Sequence, residues 1–394
     1  MNRYIGTTVR GIRTPIVKTG DDLVSIVRDS VLAAAEAEGV NFRDRDVIAV
    51  TESLLARSQG NYASIDDLAE DVREKFPEEI GIVFPILSRN RFSVILRGIA
   101  HSGRKLHILL SYPSDEVGNH LVAPEKLYES GINPYSDVLD EETFRKTFGD
   151  IRHQFTNVDY VKLYHEVCEG TEVEFHFGND PRAILKYTKD VLVADIHTRH
   201  RTKRLLKDSG ARSVYGLDDL CTTPRSAGGY NPDYGVLGSN LSTDETLKLF
   251  PRDAQAFVEK LQESLVEKTG KQIEVMVYGD GAFKDPVGKI WELADPVVSP
   301  GYTKGLEGTP NELKIKYLAD NDLKDLSGEA LTEKMRSLIS EKTLQEKDAK
   351  ASLGTTPRHL TDLLGSLSDL TSGSGDKGTP VVWIQGYFDS YAAE

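Results

Sequence analysis

The sequence predicts a mixed α/β (α+β) fold built as one core with an inserted lobe and a C-terminal extension. Short β-branched runs alternate with stretches of helical period over residues 1–80 and again over 186–300. Residues 81–185, between them, are less regular and read as the inserted lobe. Residues 301–394 pass from a charge-rich helical stretch at 311–350 to an apolar strand that should dock back on the core.

The first strong element follows Gly20-Asp21-Asp22. An Asp caps the helix start, then Leu23, Ile26, Val27, Ser30, Val31 and Ala34 share one face, and Gly39 ends the helix. Asp46-Val47-Ile48-Ala49-Val50 is too short and too β-branched for a helix, so it reads as a buried strand. Thr51 to Gly60 leaves that strand carrying Glu52, Ser53, Arg57 and Gln59. Open α/β sheets bind ligands at the carboxyl ends of their strands, which makes this segment a candidate rim, although spacing alone favours a capped turn into a surface helix.

Short strands are expected in the lobe at Ser93–Leu96 and Leu106–Leu110, with a further strand at Asp190–Asp195. The basic run from Arg199 to Lys207 has the pattern of a solvated helix face. Asp253 to Thr269 is amphipathic through Ala254, Phe257, Val258, Leu261 and Leu265. The strand Ile273–Val277 then empties into Gly279-Asp280-Gly281-Ala282-Phe283-Lys284-Asp285-Pro286. Thr371–Thr379 is a Gly/Ser loop before the strand Val381-Val382-Trp383-Ile384.

Composition narrows the function. The 394 residues hold 48 basic and 62 acidic side chains, a net charge of −14, which leaves no cationic excess to displace counterions from a nucleic acid. No run approaches the roughly 20 apolar residues of a membrane span. Residues 1–18 lack the apolar core of a signal peptide, and the expectation is a cytoplasmic protein. Cys168 and Cys221 have neither zinc-ribbon nor disulfide spacing.

Asp280 and Asp285, among glycines at a strand end, suit Mg²⁺ or Mn²⁺, although a turn also favours Asp and Gly. Gly373-Ser374-Gly375-Asp376-Lys377-Gly378-Thr379 lacks the Walker A order; it could form an anion nest or a plain flexible loop. The histidines are not expected to cluster, and His197 and His200, three apart in a basic segment, suit the surface. Serine-hydrolase and dinucleotide motifs are absent.

Four stretches resemble the coenzyme F(420) γ-glutamyl ligase family. They are Arg13-Thr14-Pro15-Ile16-Val17-Lys18-Thr19-Gly20-Asp21-Asp22-Leu23; Asp46 to Gly60; Gly235-Val236-Leu237-Gly238-Ser239-Asn240 with Leu247 to Asp253; and the strand running into Asp280. Together they cover about half of the chain in the family's order. The resemblance implies an enzyme that joins L-glutamate to a small-molecule carboxylate acceptor, with GTP or ATP as co-substrate and Mg²⁺ or Mn²⁺, acting as a homodimer.

Carried over residue by residue, it assigns nucleotide contacts to Pro15, Ile16, Val17, Lys18, Glu52, Arg57 and Asn240. Arg57 replaces the family's usual Lys. Asp280 matches a metal-binding Asp. The second metal-binding Asp is Leu237 here, so Asp285 or Asp233 would have to substitute, or the centre has been lost or rebuilt. A competing reading follows from Leu237: a catalytically altered nucleotide- or metabolite-binding protein on the same scaffold. In that reading Tyr112, Tyr128 and Tyr135 of the lobe would face a partner protein.

Overall fold

The structure, a computed structural model, describes residues 4–89, 91–149, 151–153, 156–225, 228–279, 282–284, 291–293, 299–310, 312–341, 358–372 and 376–392. It is a mixed α/β fold. A five-stranded sheet has the order Thr8–Ile12, Val381–Gln385, Val47–Thr51, Glu274–Tyr278, Gly301–Tyr302. Val47–Thr51 and Glu274–Tyr278 run parallel, and every other pairing in this sheet is antiparallel.

Successive side chains on a strand point to opposite faces, and here both faces are covered. Ile48, Val50, Val275, Val277 and Trp383 pack against the helices Leu23–Glu38 and Ala254–Thr269. Val47, Ala49, Met276, Val382 and Ile384 pack against Leu364 of the helix Leu360–Ser372. Both-face burial explains why these strands read as continuous apolar runs. The first helix is delimited as its sequence implies: the Asp22 carboxylate accepts from the Ser25 N–H at 3.3 Å, and Gly39 ends it with φ of 64°.

Asp46 ties the C-terminal strand into this sheet. Its Oδ2 accepts from Trp383 Nε1 at 3.0 Å, Gln385 Nε2 at 2.8 Å and the Arg43 N–H at 3.0 Å. Phe42 stacks on the Trp383 ring at 4.6 Å.

A second sheet of six strands has the order Leu139–Asp140, Val173–Phe177, Leu106–Leu110, Ile80–Val83, Asp190–Val193, Ser213–Gly216. All but the short first strand run parallel. Numbered along the chain, the parallel strands lie 3-2-1-4-5, the doubly wound order, with its reversal between Ile80–Val83 and Asp190–Val193. The sheet therefore draws on residues of the irregular stretch and on two strands beyond 186. A third sheet, Asn240–Thr243, Thr246–Lys248 and Tyr62–Ser64, links the 240s to the segment after the first core strand.

Three expectations for the lobe are corrected. Ser93–Leu96 is not a strand; it lies in the helix Phe92–His101, the crossover that joins the parallel strands Ile80–Val83 and Leu106–Leu110. Parallel neighbours need such a connection. Tyr112 is not a surface aromatic. It is buried, with its hydroxyl donating to the Asp137 carbonyl at 2.9 Å, whereas Tyr128 and Tyr135 are exposed. Finally, two histidines do cluster: His107 and His176 face each other from adjacent parallel strands. The basic run does form a helix, Arg199–Asp208, and Arg199 and Lys203 pair with Asp218.

Candidate functional site

A cleft of about 830 Å³ opens at the carboxyl ends of the two parallel core strands, Val47–Thr51 and Glu274–Tyr278. Five stretches of chain wall its four sides. The turn Thr14–Val17 forms one lip, and the start of the helix Glu52–Ser58 forms the floor. Asn240 and Lys248 stand on a third side, with Tyr278 and Gly279 ending the neighbouring strand. Asp369, Leu370 and Ser372 of the C-terminal helix close the fourth together with Gly378, Thr379 and Pro380.

Six of the seven residues expected to contact nucleotide line this one cleft: Pro15, Ile16, Val17, Glu52, Arg57 and Asn240. Val17 is buried and anchors the turn, while Ile16 is 82% exposed and overhangs the opening. Lys18 does not line the cleft; its backbone N–H donates to Asp21 Oδ2 at 2.6 Å and its side chain is exposed. Arg57 Nε donates to the Val17 carbonyl at 2.6 Å, so the cation at the helix end also holds the turn in place.

Glu52 is buried, with Lys248 Nζ 3.6 Å from its carboxylate. The same ammonium donates to Ser53 Oγ. Lys248 pairs with Asn240 in an antiparallel ladder, and directly paired residues share a face, so amide and cation reach the cleft side by side. Lys248 was missed as a site residue in the sequence. It sits in a strand of three residues within a matched stretch, with nothing local to mark its direction. The Gly/Ser loop carried a weak signal, and its described part does reach the cleft through Gly378 and Thr379.

The loop that presents Asn240 is rigidly framed. Gly235 and Gly238 both adopt positive φ, 54° and 73°. A Cβ on Gly238 would lie 2.0 Å from the Phe250 ring, and one on Gly235 2.4 Å from the Leu220 carbonyl. Only glycine meets both conditions at each place. Buried Asn61 donates to the Phe250 carbonyl at 2.7 Å and accepts from the Tyr230 N–H at 3.0 Å. Asn231 donates to the same Phe250 carbonyl at 3.1 Å.

The expected metal carboxylates are not brought together by the described residues. Leu237 is fully buried in the apolar core. Asp233 is exposed beside Asn231, whose Oδ1 accepts its N–H at 2.9 Å, and it does not line the cleft. Asp280 and Asp285 lie outside the described residues; Gly279, just before Asp280, is on the cleft wall. Among the described residues, the cleft's carboxylates are Glu52 and Asp369, and no trio of ligands converges there.

A smaller cavity of about 140 Å³ lies at the strand-order reversal of the six-stranded sheet. It is lined by Leu87 and Ser88 after one strand, Ala194 and Ile196 after the other, and Val236, Gly238 and Ser239. One loop thus lines both cavities with successive residues. Both cysteines are buried, and burial pushes the Cys168 and Cys221 thiols up to about 12, which disfavours the thiolate form.

No curated protein matches this chain. The family model described as F420-0:Gamma-glutamyl ligase matches residues 11–386, which takes in the six-stranded sheet, all but the start of the edge strand Thr8–Ile12 in the five-stranded sheet, the cleft and the C-terminal strand. With nearly its whole length matched, the chain belongs to the F420-0:gamma-glutamyl ligase family.

Proposed function

We propose that this chain is a nucleotide-dependent ligase that forms an amide between the carboxylate of a small acceptor and the α-amino group of L-glutamate. What supports this reading is the convergence of the 14–17 turn, Glu52, Arg57, Asn240 and Lys248 on one cleft at the carboxyl ends of two parallel strands. A carboxylate does not react with an amine until an oxygen becomes a leaving group. In this reading an acceptor carboxylate oxygen attacks the γ-phosphorus of GTP or ATP, and the nucleoside diphosphate leaves. The glutamate nitrogen then attacks the acyl carbon, phosphate leaves, and the nitrogen loses a proton. Arg57 and Lys248 would neutralise the phosphate charge, an effect that strengthens in a site shielded from water.

The family likeness extends the proposal to Mg²⁺ or Mn²⁺ and to a homodimer. The described residues of the cleft do not assemble a ligand set for such an ion, and no step is routed through one. Leu237, buried where a carboxylate was expected, favours a second reading in which the cleft binds nucleotide without turnover.

One experiment separates the two. The full chain is incubated with GTP or ATP, L-glutamate and a panel of small carboxylic acids, with and without Mg²⁺. Phosphate release that requires both glutamate and an acid supports the ligase. Nucleotide-dependent thermal stabilisation with no such release across the panel moves the binding reading ahead. An active species with the mass of one chain at micromolar concentration would remove the dimer.

A further inference from the structure

His107 and Glu174 are directly paired on the adjacent parallel strands Leu106–Leu110 and Val173–Phe177, and His176 lies two residues beyond Glu174. A two-residue step on a strand returns to the same face. The three side chains therefore meet on one face of the six-stranded sheet. His107 Nδ1 lies 3.2 Å from Glu174 Oε2 and 3.4 Å from His176 Nε2, and the third side of the triangle is 4.0 Å. A tetrahedral ion with bonds of about 2.0–2.1 Å separates its ligand atoms by roughly 3.4 Å.

We propose that His107 Nδ1, His176 Nε2 and Glu174 Oε2 form a binding site for a divalent transition metal of the zinc class. The surroundings fit such a site. Glu79 Oε2 stands 3.1 Å from His107 Nε2, the far side of the ring. With that nitrogen donating to Glu79, the Nδ1 lone pair faces the Glu174 oxygen and the second imidazole. Ligating histidines are held by carboxylates in this way, which fixes the tautomer and raises ligand basicity. Lys105 Nζ takes the other Glu174 oxygen at 2.9 Å, leaving Oε2 turned to the imidazoles.

Both histidines are buried, and the Tyr187 ring lies flat against them, 3.8 Å from the His176 centroid and 5.3 Å from that of His107. Glu79 and Glu174 are half-exposed, so an ion has a route in and a fourth ligand can be water. Glu79 precedes Ile80–Val83, and His107 and Glu174 are the second residues of their strands, while His176 is the fourth residue of Val173–Phe177. The site is separate from the cleft and from the crevice at the carboxyl ends. The bound ion would staple two strands whose histidines are 69 positions apart in sequence.

The test loads chelator-treated full-length protein with Zn²⁺ as the sole transition metal, in excess Mg²⁺ to occupy hard-oxygen sites, and compares it with His176→Gln and Glu174→Gln. Equilibrium dialysis should show the unaltered chain binding one more equivalent of zinc than either variant. Zinc should raise its melting temperature and not theirs, and Co²⁺ should give the strong visible bands of a tetrahedral site only in the unaltered chain. Glu79→Gln should still bind that equivalent, roughly 10–100-fold more weakly. If His176→Gln fails to fold, half-exposed Glu174→Gln carries the same comparison. Equal zinc uptake and equal thermal shifts in all three proteins would overturn the proposal, leaving the two imidazoles as a hydrogen-bonded pair.

Discussion

Arg57 places its Nε–H within the fold, on the Val17 carbonyl, while the rest of its guanidinium remains at the cleft. Removing the side chain would therefore both delete a cation and release the turn that forms one lip. Arg57→Ala is expected to raise the nucleotide Kd at least about tenfold, since a hydrogen bond to a charged group is worth about 1.5–3 kcal/mol. Arg57→Lys should fall between, keeping the charge and losing the planar fork. Isothermal titration on folded variants decides it, and an unchanged Kd for the alanine variant would remove Arg57 from the site. Asp115 carries a different consequence. It is buried after the strand Leu106–Leu110 and accepts from the N–H groups of Leu87, Val117 and Asn119 and from the Asn119 amide. Burial outweighs those donors and pushes its carboxyl up to about 6 from 3.8. A folded-state value above the unfolded one means the stabilisation is whole below the unfolded value and is lost as pH rises through the folded one. Relative to Asp115→Asn, the unaltered chain should lose about 3 kcal/mol between roughly pH 4 and pH 7. Urea titrations of both proteins across that range check it; a constant difference between them would refute the assignment.

At the scale of elements, the C-terminal strand is the informative one. Val381–Gln385 lies between Thr8–Ile12 and Val47–Thr51 and pairs antiparallel with both, so it completes the sheet from within instead of extending an edge. Asp46, just before Val47–Thr51, holds both Trp383 and Gln385 of that strand. Asp46→Ala would leave the buried indole N–H unsatisfied and should cost about 3 kcal/mol, read as a lower urea midpoint at constant slope. A shift below about 0.5 kcal/mol would mean the strand is held by apolar burial alone. The helix Phe92–His101 shows where local pattern misleads. Val94 and Ile95 favour a strand, but the whole apolar run through Ala100 is long enough for a helix, and short apolar windows do not separate the two. Tertiary packing settles it: Gly98 lets the helix approach Leu68 so closely that a Cβ would lie 2.7 Å from the Leu68 side chain.

At the scale of the whole molecule, the two large sheets arise from different chain logic. The doubly wound sheet is assembled from parallel strands joined by crossovers, and its elements follow one another along 80–216. The five-stranded sheet gathers segments from residue 8 to residue 385. The cleft lies where those distant segments end, which is why its walls come from five separate stretches. What the sequence determined by itself was local or carried by family likeness. Helix ends at Asp22 and Gly39, buried strands near 47–51 and 381–385, the matched stretch Gly235–Asn240 and the grouping of Pro15–Val17 with Glu52 and Arg57 could all be read there. Each depends on neighbours within a few positions or on a short matched stretch. Only the tertiary structure decided that Lys248 stands beside Asn240, that Leu237 is core, that Tyr112 is buried and that His107 meets His176. Those facts depend on strand pairing and burial. Pairing joins residues far apart in the chain, and a side chain's surroundings are set by whichever strand lies beside it.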